Sequence, residues 1–238
     1  MIGCTKLSEE CEHCYAADMV RRFGKLWGVK EGFGVTLRLQ ALPEPLKLAM
    51  PRTIFVCPLA DLFHEQVPDG HIVQVFRVMR GCPRHNFIVL TKRAERMANF
   101  LLTPALTAAT ESSVSGAWPP TNVWLGVTAG TMRNANERVP HLLRIGWGRN
   151  FLSAEPLLEE MRLPQAWFWS IQQKRGLRWV ITGPESGRQA RPTPAGAFAL
   201  LRHQCAYHGI PFWFKGHGGV LEGKVHLGRP AELSYDGR

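Results

Sequence analysis

Thr53-Ile54-Phe55-Val56-Cys57 is a short apolar run without polar–apolar alternation, and Asp61, His64 and Glu65 follow it closely. An unalternating run of this length suits a strand buried on both faces, and such strands belong to parallel sheets. The format recurs downstream. Phe87-Ile88-Val89-Leu90 ends in Thr91-Lys92-Arg93, and Val123-Trp124-Leu125-Gly126-Val127 ends in Thr128. Phe151-Leu152 ends in Ser153-Ala154-Glu155-Pro156, and Trp179-Val180-Ile181-Thr182 leads into Gly183-Pro184-Glu185-Ser186-Gly187. Pro211-Phe212-Trp213-Phe214 leads into Lys215. Strand units of this kind, each tipped with polar residues and separated by helical or irregular segments, predict an α/β chain. The architecture expected is a partial, TIM-like β/α barrel of parallel strands, with its active site at the strand C-termini.

The connecting segments agree. Ile72, Val75, Phe76 and Met79 form one apolar helical stripe. Thr193-Pro194 reads as an N-cap with proline at the first helical position, and Phe198, Leu201, Cys205 and His208 continue the helix until Gly209. Upstream, Tyr15 to Trp27 reads as a helix with Met19, Phe23 and Trp27 on one face, and Val35-Thr36-Leu37-Arg38 as a short strand. Residues 103–120 read as a mobile insertion, and the glycine-rich tail from Gly216 as loop and short strands. No linker divides the 238 residues, so a single domain over 1–238 is expected, with an N-terminal cysteine loop (4–15) and a loop-rich tail (216–238).

Hydrophobic content of 45% and charged content of 20% are those of a soluble globular protein, and no transmembrane span is legible. Metal-type cysteines begin at residue 4, which leaves no room for a signal peptide, and their clustering favours a reducing cytoplasm. Lys and Arg outnumber Asp and Glu by 29 to 19, giving +10 and a pI near 9.7. That balance suits a polyanionic partner such as nucleic acid. The basic residues are dispersed, with no Lys/Arg run longer than two, so charge alone does not choose between a binding and a non-binding surface.

The chemistry is concentrated at the N-terminus. Cys4, Cys11 and Cys14 stand in a C-x6-C-x2-C pattern, three of the chain's six cysteines within one loop, with no fourth to close the set. Structural zinc sites and ordinary ferredoxin clusters take four ligands. Three thiolates suggest a metal centre left open at one position. The competing reading is a zinc site with His13, His64 or another histidine as fourth ligand.

Taken with Asp61-Leu62-Phe63-His64, Leu90-Thr91-Lys92-Arg93, Ser153-Ala154-Glu155-Pro156, Glu185-Ser186-Gly187 and Ala190-Arg191-Pro192, this loop closely resembles a phage- and prophage-encoded family of unknown function with a three-cysteine motif. That family is itself similar to divergent radical S-adenosylmethionine (SAM) enzymes, spore photoproduct lyase among them. The resemblance implies a four-iron, four-sulfur cluster on Cys4, Cys11 and Cys14, with SAM bound at the open iron. Reductive cleavage of SAM would yield a 5′-deoxyadenosyl radical that abstracts hydrogen from a substrate, nucleic acid or a nucleotide being the class suggested. It further implies a reductant such as flavodoxin or ferredoxin, and a three-cysteine-motif partner protein. The first cysteine gap is longer than the three residues usual in that superfamily. Only Met1-Ile2-Gly3 precede the loop where relatives carry a first barrel strand, so a barrel lacking that strand is expected. The rivals are a zinc-stabilised, non-catalytic nucleic-acid-binding phage protein and a truncated, inactive copy.

Within this frame Asp61, just past a strand end, would bind SAM or substrate, or else cap the next helix. Lys92 and Arg93 are adjacent and point opposite ways, so one of the two would hold an anionic group. Ser153 and Glu155 share a strand face and suit a ribose or an ammonium. Glu185 would serve the site or pair with Arg191 as scaffold, and Lys215 ends the last strand. Cys57, also at a strand end, would donate a hydrogen atom to a substrate radical, or be a small buried side chain. Cys82 and Cys205 read as structural, and Trp124, Trp179, Trp213 and Phe214 as core aromatics.

Overall fold

The computed structural model describes residues 1–29, 32–103, 120–170 and 175–233. The insertion expected over 103–120 therefore lies, apart from its two end residues, outside the described residues. Contacts divide the chain into two compact units, Met1–Trp124 and Leu125–Arg238.

The first unit runs α1 (Tyr15–Phe23), α2 (Glu44–Lys47), β1 (Thr53–Val56), α3 (Asp69–Gly81), β2 (Asn86–Thr91) and α4 (Ala94–Leu101). Strand β3 (Val123–Thr128) starts at its end and continues into the second unit. There follow α5 (Met132–Arg144), β4 (Asn150–Ala154), β5 (Leu177–Thr182), α6 (Ala197–Tyr207) and β6 (Phe212–Phe214). The tail carries β7 (Val220–Leu221) and β8 (Lys224–Val225) as an antiparallel pair, the short strands expected there.

All six apolar runs are strands of one sheet, in the order β1-β2-β3-β4-β5-β6. The β1–β2, β3–β4, β4–β5 and β5–β6 pairs are parallel. Sequential parallel order, with an α-helix in every connection among the described residues except that from β4 to β5, is consistent with a partial β/α barrel. Strands β3 and β4 are buried at every residue, as unalternating runs suggest. Strand β1, expected to be buried on both faces, instead alternates exposed Thr53 and Phe55 with half-buried Ile54 and Val56, because it stands at the end of the strand order. Among the described residues no helix is long and apolar enough to cross a membrane.

In the first unit the stripe on α3 is inside as expected, with Ile72, Val75, Phe76 and Met79 all buried. A smaller core gathers Ile2, Val20 and Val29 under Trp27, Phe33 and Leu59. In the second unit the Phe151 ring lies 5.5 Å from that of Trp179, which lies 5.7 Å from Trp213. Trp124, Trp179 and Phe214 are core aromatics; Trp213 is half-buried, with the Arg229 guanidinium 4.8 Å over its ring.

Three local expectations need correction. Val35–Arg38 is not a strand: Thr36 makes a single antiparallel bridge to Ile2, whose neighbour Gly3 bridges Ala60 in parallel, and two residues cannot extend a ladder. Helix α1 ends at Phe23, and turns carry the chain to Gly28. Helix α6 starts from Gly196, in the left-handed region at φ 81°, not from Thr193. The Thr193 hydroxyl instead donates to Leu157 O at 2.9 Å and ties down the preceding loop.

Candidate functional site

In the first unit the cysteine loop is fixed at its root. Gly3 N donates to Leu59 O and Cys4 N to Phe33 O, both at 2.9 Å. Gly3 sits at φ 97°, and a Cβ there would lie 1.9 Å from Gly34 O, so only glycine brings the chain this close. Thr5, Lys6 and Leu7 are exposed. A 3-10 turn at Glu9–Cys11 then buries Cys11, the Ser8 hydroxyl donates to the buried Glu10 carboxylate, and Cys14 caps α1. Cys4 and Cys14 are half-buried, and all three thiols are free.

Behind Cys4 stands Arg93, at 6% exposure. Its Nη1 lies 3.5 Å from Cys4 Sγ and donates to Asp61 Oδ2 at 3.2 Å. Its Nε donates to both Glu65 oxygens at 2.8 and 3.0 Å, and its Nη2 to Thr5 Oγ1 at 3.0 Å and Thr5 O at 3.4 Å. Burial pushes the Cys4 thiol above its ordinary pKa, and the guanidinium opposes that rise.

Asp61 is as fully engaged. Oδ1 accepts from Phe63 N at 3.0 Å and Thr91 Oγ1 at 2.7 Å, while Oδ2 accepts from Lys92 N at 3.1 Å as well as from Arg93. It therefore locks the loop after β1 to the end of β2. Arg96 of α4 holds the same loop through Val67 O at 2.7 Å, Asp69 Oδ1 at 2.9 Å and the His64 carbonyl. His64 Nδ1 accepts from Gln66 N at 3.1 Å, which leaves Nε2 to donate to Thr5 Oγ1 at 2.8 Å. Burial, then Arg93, lowers the His64 pKa and keeps the ring neutral. Cys57 follows β1 at φ 55°, and burial pushes its thiol up, which favours the protonated S–H form.

Among the described residues no three His, Cys, Asp or Glu side chains are gathered closely enough to hold a metal ion. By donor type the loop nonetheless fits an iron–sulfur cluster. It offers three soft thiols within one short loop, and a cation is set against the first of them.

In the second unit Glu155 follows β4 and Lys215 follows β6. Glu155 Oε2 and Lys215 Nζ pair at 3.0 Å, with Lys215 half exposed. Gly183 lies between them: a Cβ there would come within 3.3 Å of both Glu155 Oε1 and Lys215 Cβ. Glu185 is buried and takes Arg191 N and Nε on Oε2 at 2.8 and 2.9 Å and Arg191 Nη2 on Oε1 at 2.5 Å. The pairing foreseen with Arg191 is therefore made. Ser153 is buried at the end of β4.

The structure thus brings Cys4 and Asp61 together through Arg93 in one unit, and Glu155 and Lys215 together in the other. Lys92 is half-buried, and Arg93 is the residue turned inward. Period-two counting from Val89 through Thr91, both buried, was the signal that could have singled out Arg93. Thr5 gave no signal of its own, since its role depends on partners remote in the chain. Glu159, whose Oε1 accepts from Met132 N at 2.6 Å at the start of α5, was likewise missed.

No curated protein and no solved structure matches the chain. A family profile covers all of it, residues 1–238, and the chain belongs to the family described as "Protein of unknown function (DUF5131)".

Proposed function

We propose that this protein is a radical SAM-type enzyme of phage type. Cys4, Cys11 and Cys14 hold a four-iron, four-sulfur cluster, and nucleic acid or a nucleotide is the substrate. The observation that carries the reading is the loop itself: three free thiols with no fourth cysteine beside them, the first backed by a buried guanidinium that two carboxylates hold in place. When bound, such a cluster delivers an electron to SAM, whose cleavage yields a radical that takes hydrogen from the substrate.

The chain's own residues do the rest. Asp61 and Arg93 fix the loop after β1 and the root of the cysteine loop in one arrangement. Glu155 and Lys215 present a carboxylate and an ammonium side by side at strand ends, complementary to the ammonium and carboxylate of an amino-acid moiety such as that of SAM. Ser153, buried at the end of β4 in the same unit, adds a hydroxyl, Glu185 is held by Arg191 as scaffold, and Lys92 follows β2 in the first unit. Cys57, held as a neutral thiol, can give a hydrogen atom to a carbon radical. The net charge of +10 suits a polyanionic substrate and an acidic electron donor of the flavodoxin or ferredoxin kind.

The test is anaerobic purification and reconstitution. Iron and sulfide in equal amounts, an iron–sulfur visible absorbance, and methionine with 5′-deoxyadenosine released from SAM after reduction are expected. Stoichiometric zinc without SAM turnover overturns the reading in favour of a zinc-stabilised protein. A loaded cluster that never cleaves SAM marks an inactive copy.

A further inference from the structure

The geometry points to Arg93 as the positioning residue of the metal centre: it orients the Cys4 thiolate and sets the electron affinity of whatever the thiolate ligates. This rests on the cluster reading above and adds a regulator to it.

The argument begins with how the side chain is held. Arg93 N donates to Thr91 Oγ1 at 2.8 Å, and that hydroxyl donates in turn to Asp61. The guanidinium plane is then gripped on two edges, by Glu65 at Nε and by Asp61 at Nη1. A planar fork held at two edges has no freedom left at its third. The remaining donors are directed at the cysteine loop, Nη1 at Cys4 Sγ and Nη2 at both oxygens of Thr5. An arginine serving only to neutralise Asp61 and Glu65 would not need this direction.

Asp61 and Glu65 together carry two negative charges against one guanidinium, so what Arg93 offers a Cys4 thiolate is the aimed donor, Nη1 at 3.5 Å from Sγ, and not a net positive charge. Hydrogen bonds to ligating sulfur stabilise the more negative, reduced state of an iron–sulfur centre and raise its potential. They also hold the ligand in place. Partners that orient a metal ligand typically contribute about 10- to 100-fold in metal affinity.

The experiment uses the full chain, reconstituted anaerobically, as wild type, Arg93→Gln, Arg93→Lys and Glu65→Gln. Three quantities are read without substrate: iron and sulfide per chain, the rate of iron loss to a chelator, and the midpoint potential by spectroelectrochemistry. Far-UV circular dichroism of each apo-protein checks folding. Arg93→Gln is expected to lose iron about tenfold faster and to shift the potential to more negative values, with Arg93→Lys recovering part of the shift. Glu65→Gln frees one edge of the guanidinium and gives a smaller rise in iron loss, while the loss of its negative charge pushes the potential the opposite way from Arg93→Gln. It lies on the solvent side of the pair and stays folded if Arg93→Gln does not, so the question remains answerable.

A loaded wild type whose potential and iron-loss rate are unchanged in Arg93→Gln, or whose iron-loss rate is unchanged in Glu65→Gln where only that variant folds, overturns the role of Arg93 and leaves the cluster reading standing. A wild type that takes up zinc or no metal, with no sulfide, overturns both.

Discussion

Asp61→Asn isolates what one buried carboxylate contributes. The four hydrogen bonds it accepts are divided evenly, two on each oxygen. Asparagine keeps a single acceptor oxygen, so one pair survives. The amide NH2 replacing the other oxygen faces donors, either Lys92 N and Arg93 Nη1 or Phe63 N and the Thr91 hydroxyl. The guanidinium, 6% exposed, then has only Glu65 to balance it. Removing one partner of a buried, hydrogen-bonded pair costs about 3–5 kcal/mol, a large part of a total stability of about 5–15 kcal/mol. Glu65→Gln is the control: its side chain is 62% exposed, and a pair so open to water contributes about 1 kcal/mol or less. Urea unfolding at neutral pH, followed by tryptophan fluorescence and circular dichroism, gives both values. Asp61→Asn combined with Arg93→Met should recover much of the loss, because removing both charges leaves neither stranded. If Asp61→Asn unfolds within about 0.5 kcal/mol of wild type, the carboxylate is not the lock described here. A loss confined to SAM binding, with stability intact, would make it a ligand-holding group instead.

Gly126→Ala places a methyl 2.2 to 2.5 Å from three atoms of the Phe151 ring, itself fully buried against Trp179. The ring has nowhere to retreat, so a cost at or above about 3 kcal/mol is expected by urea unfolding, with partial relief in Gly126→Ala/Phe151→Leu. His64 makes stability pH-dependent. Burial and Arg93 hold its folded pKa below 6.5, so the unfolded chain takes up the proton first as pH falls. Stability should therefore be full above that pH, decline as pH drops through it and level off below the folded value; His64→Gln should flatten this part of the profile. Burial pushes the Cys205 thiol up to about 12. At about pH 8, near the ordinary thiol pKa, mass spectrometry of alkylated native protein should find Cys205 unmodified and the half-buried Cys4 and Cys14 labelled; rapid native labelling of Cys205 would contradict its burial.

The central strands were legible because burial on both faces keeps their sequences mostly apolar, as β3 and β4 show, and β1 was legible by its apolar run although it is only half-buried. Helix α6 was found but its start was not. Thr193-Pro194 carries the local signature of a cap, and a tertiary hydrogen bond to Leu157 outbid it. Of the candidate site, residue types at strand ends could be read, but not what they face. Glu155 meets Lys215, 60 residues away in sequence, and Arg93 meets Cys4, 89 away. No local pattern encodes such pairings. Asp61 shows the ambiguity most sharply, since an aspartate just past a strand end looks alike whether it waits for a ligand or joins two loops.

The anchoring of Gly3 and Cys4 has a consequence for the uneven spacing of the thiols. Between the first and second cysteines Lys6 and Leu7 are exposed, while the backbone at Cys4 is pinned and the Thr5 hydroxyl is held by His64 and Arg93. Cys4 is thus one fixed point of the loop, and the buried Cys11 and the α1 N-cap Cys14 are anchored separately at its other end. Lengthening or shortening the exposed span would therefore change the reach between the first thiol and the other two without disturbing the anchor of either end.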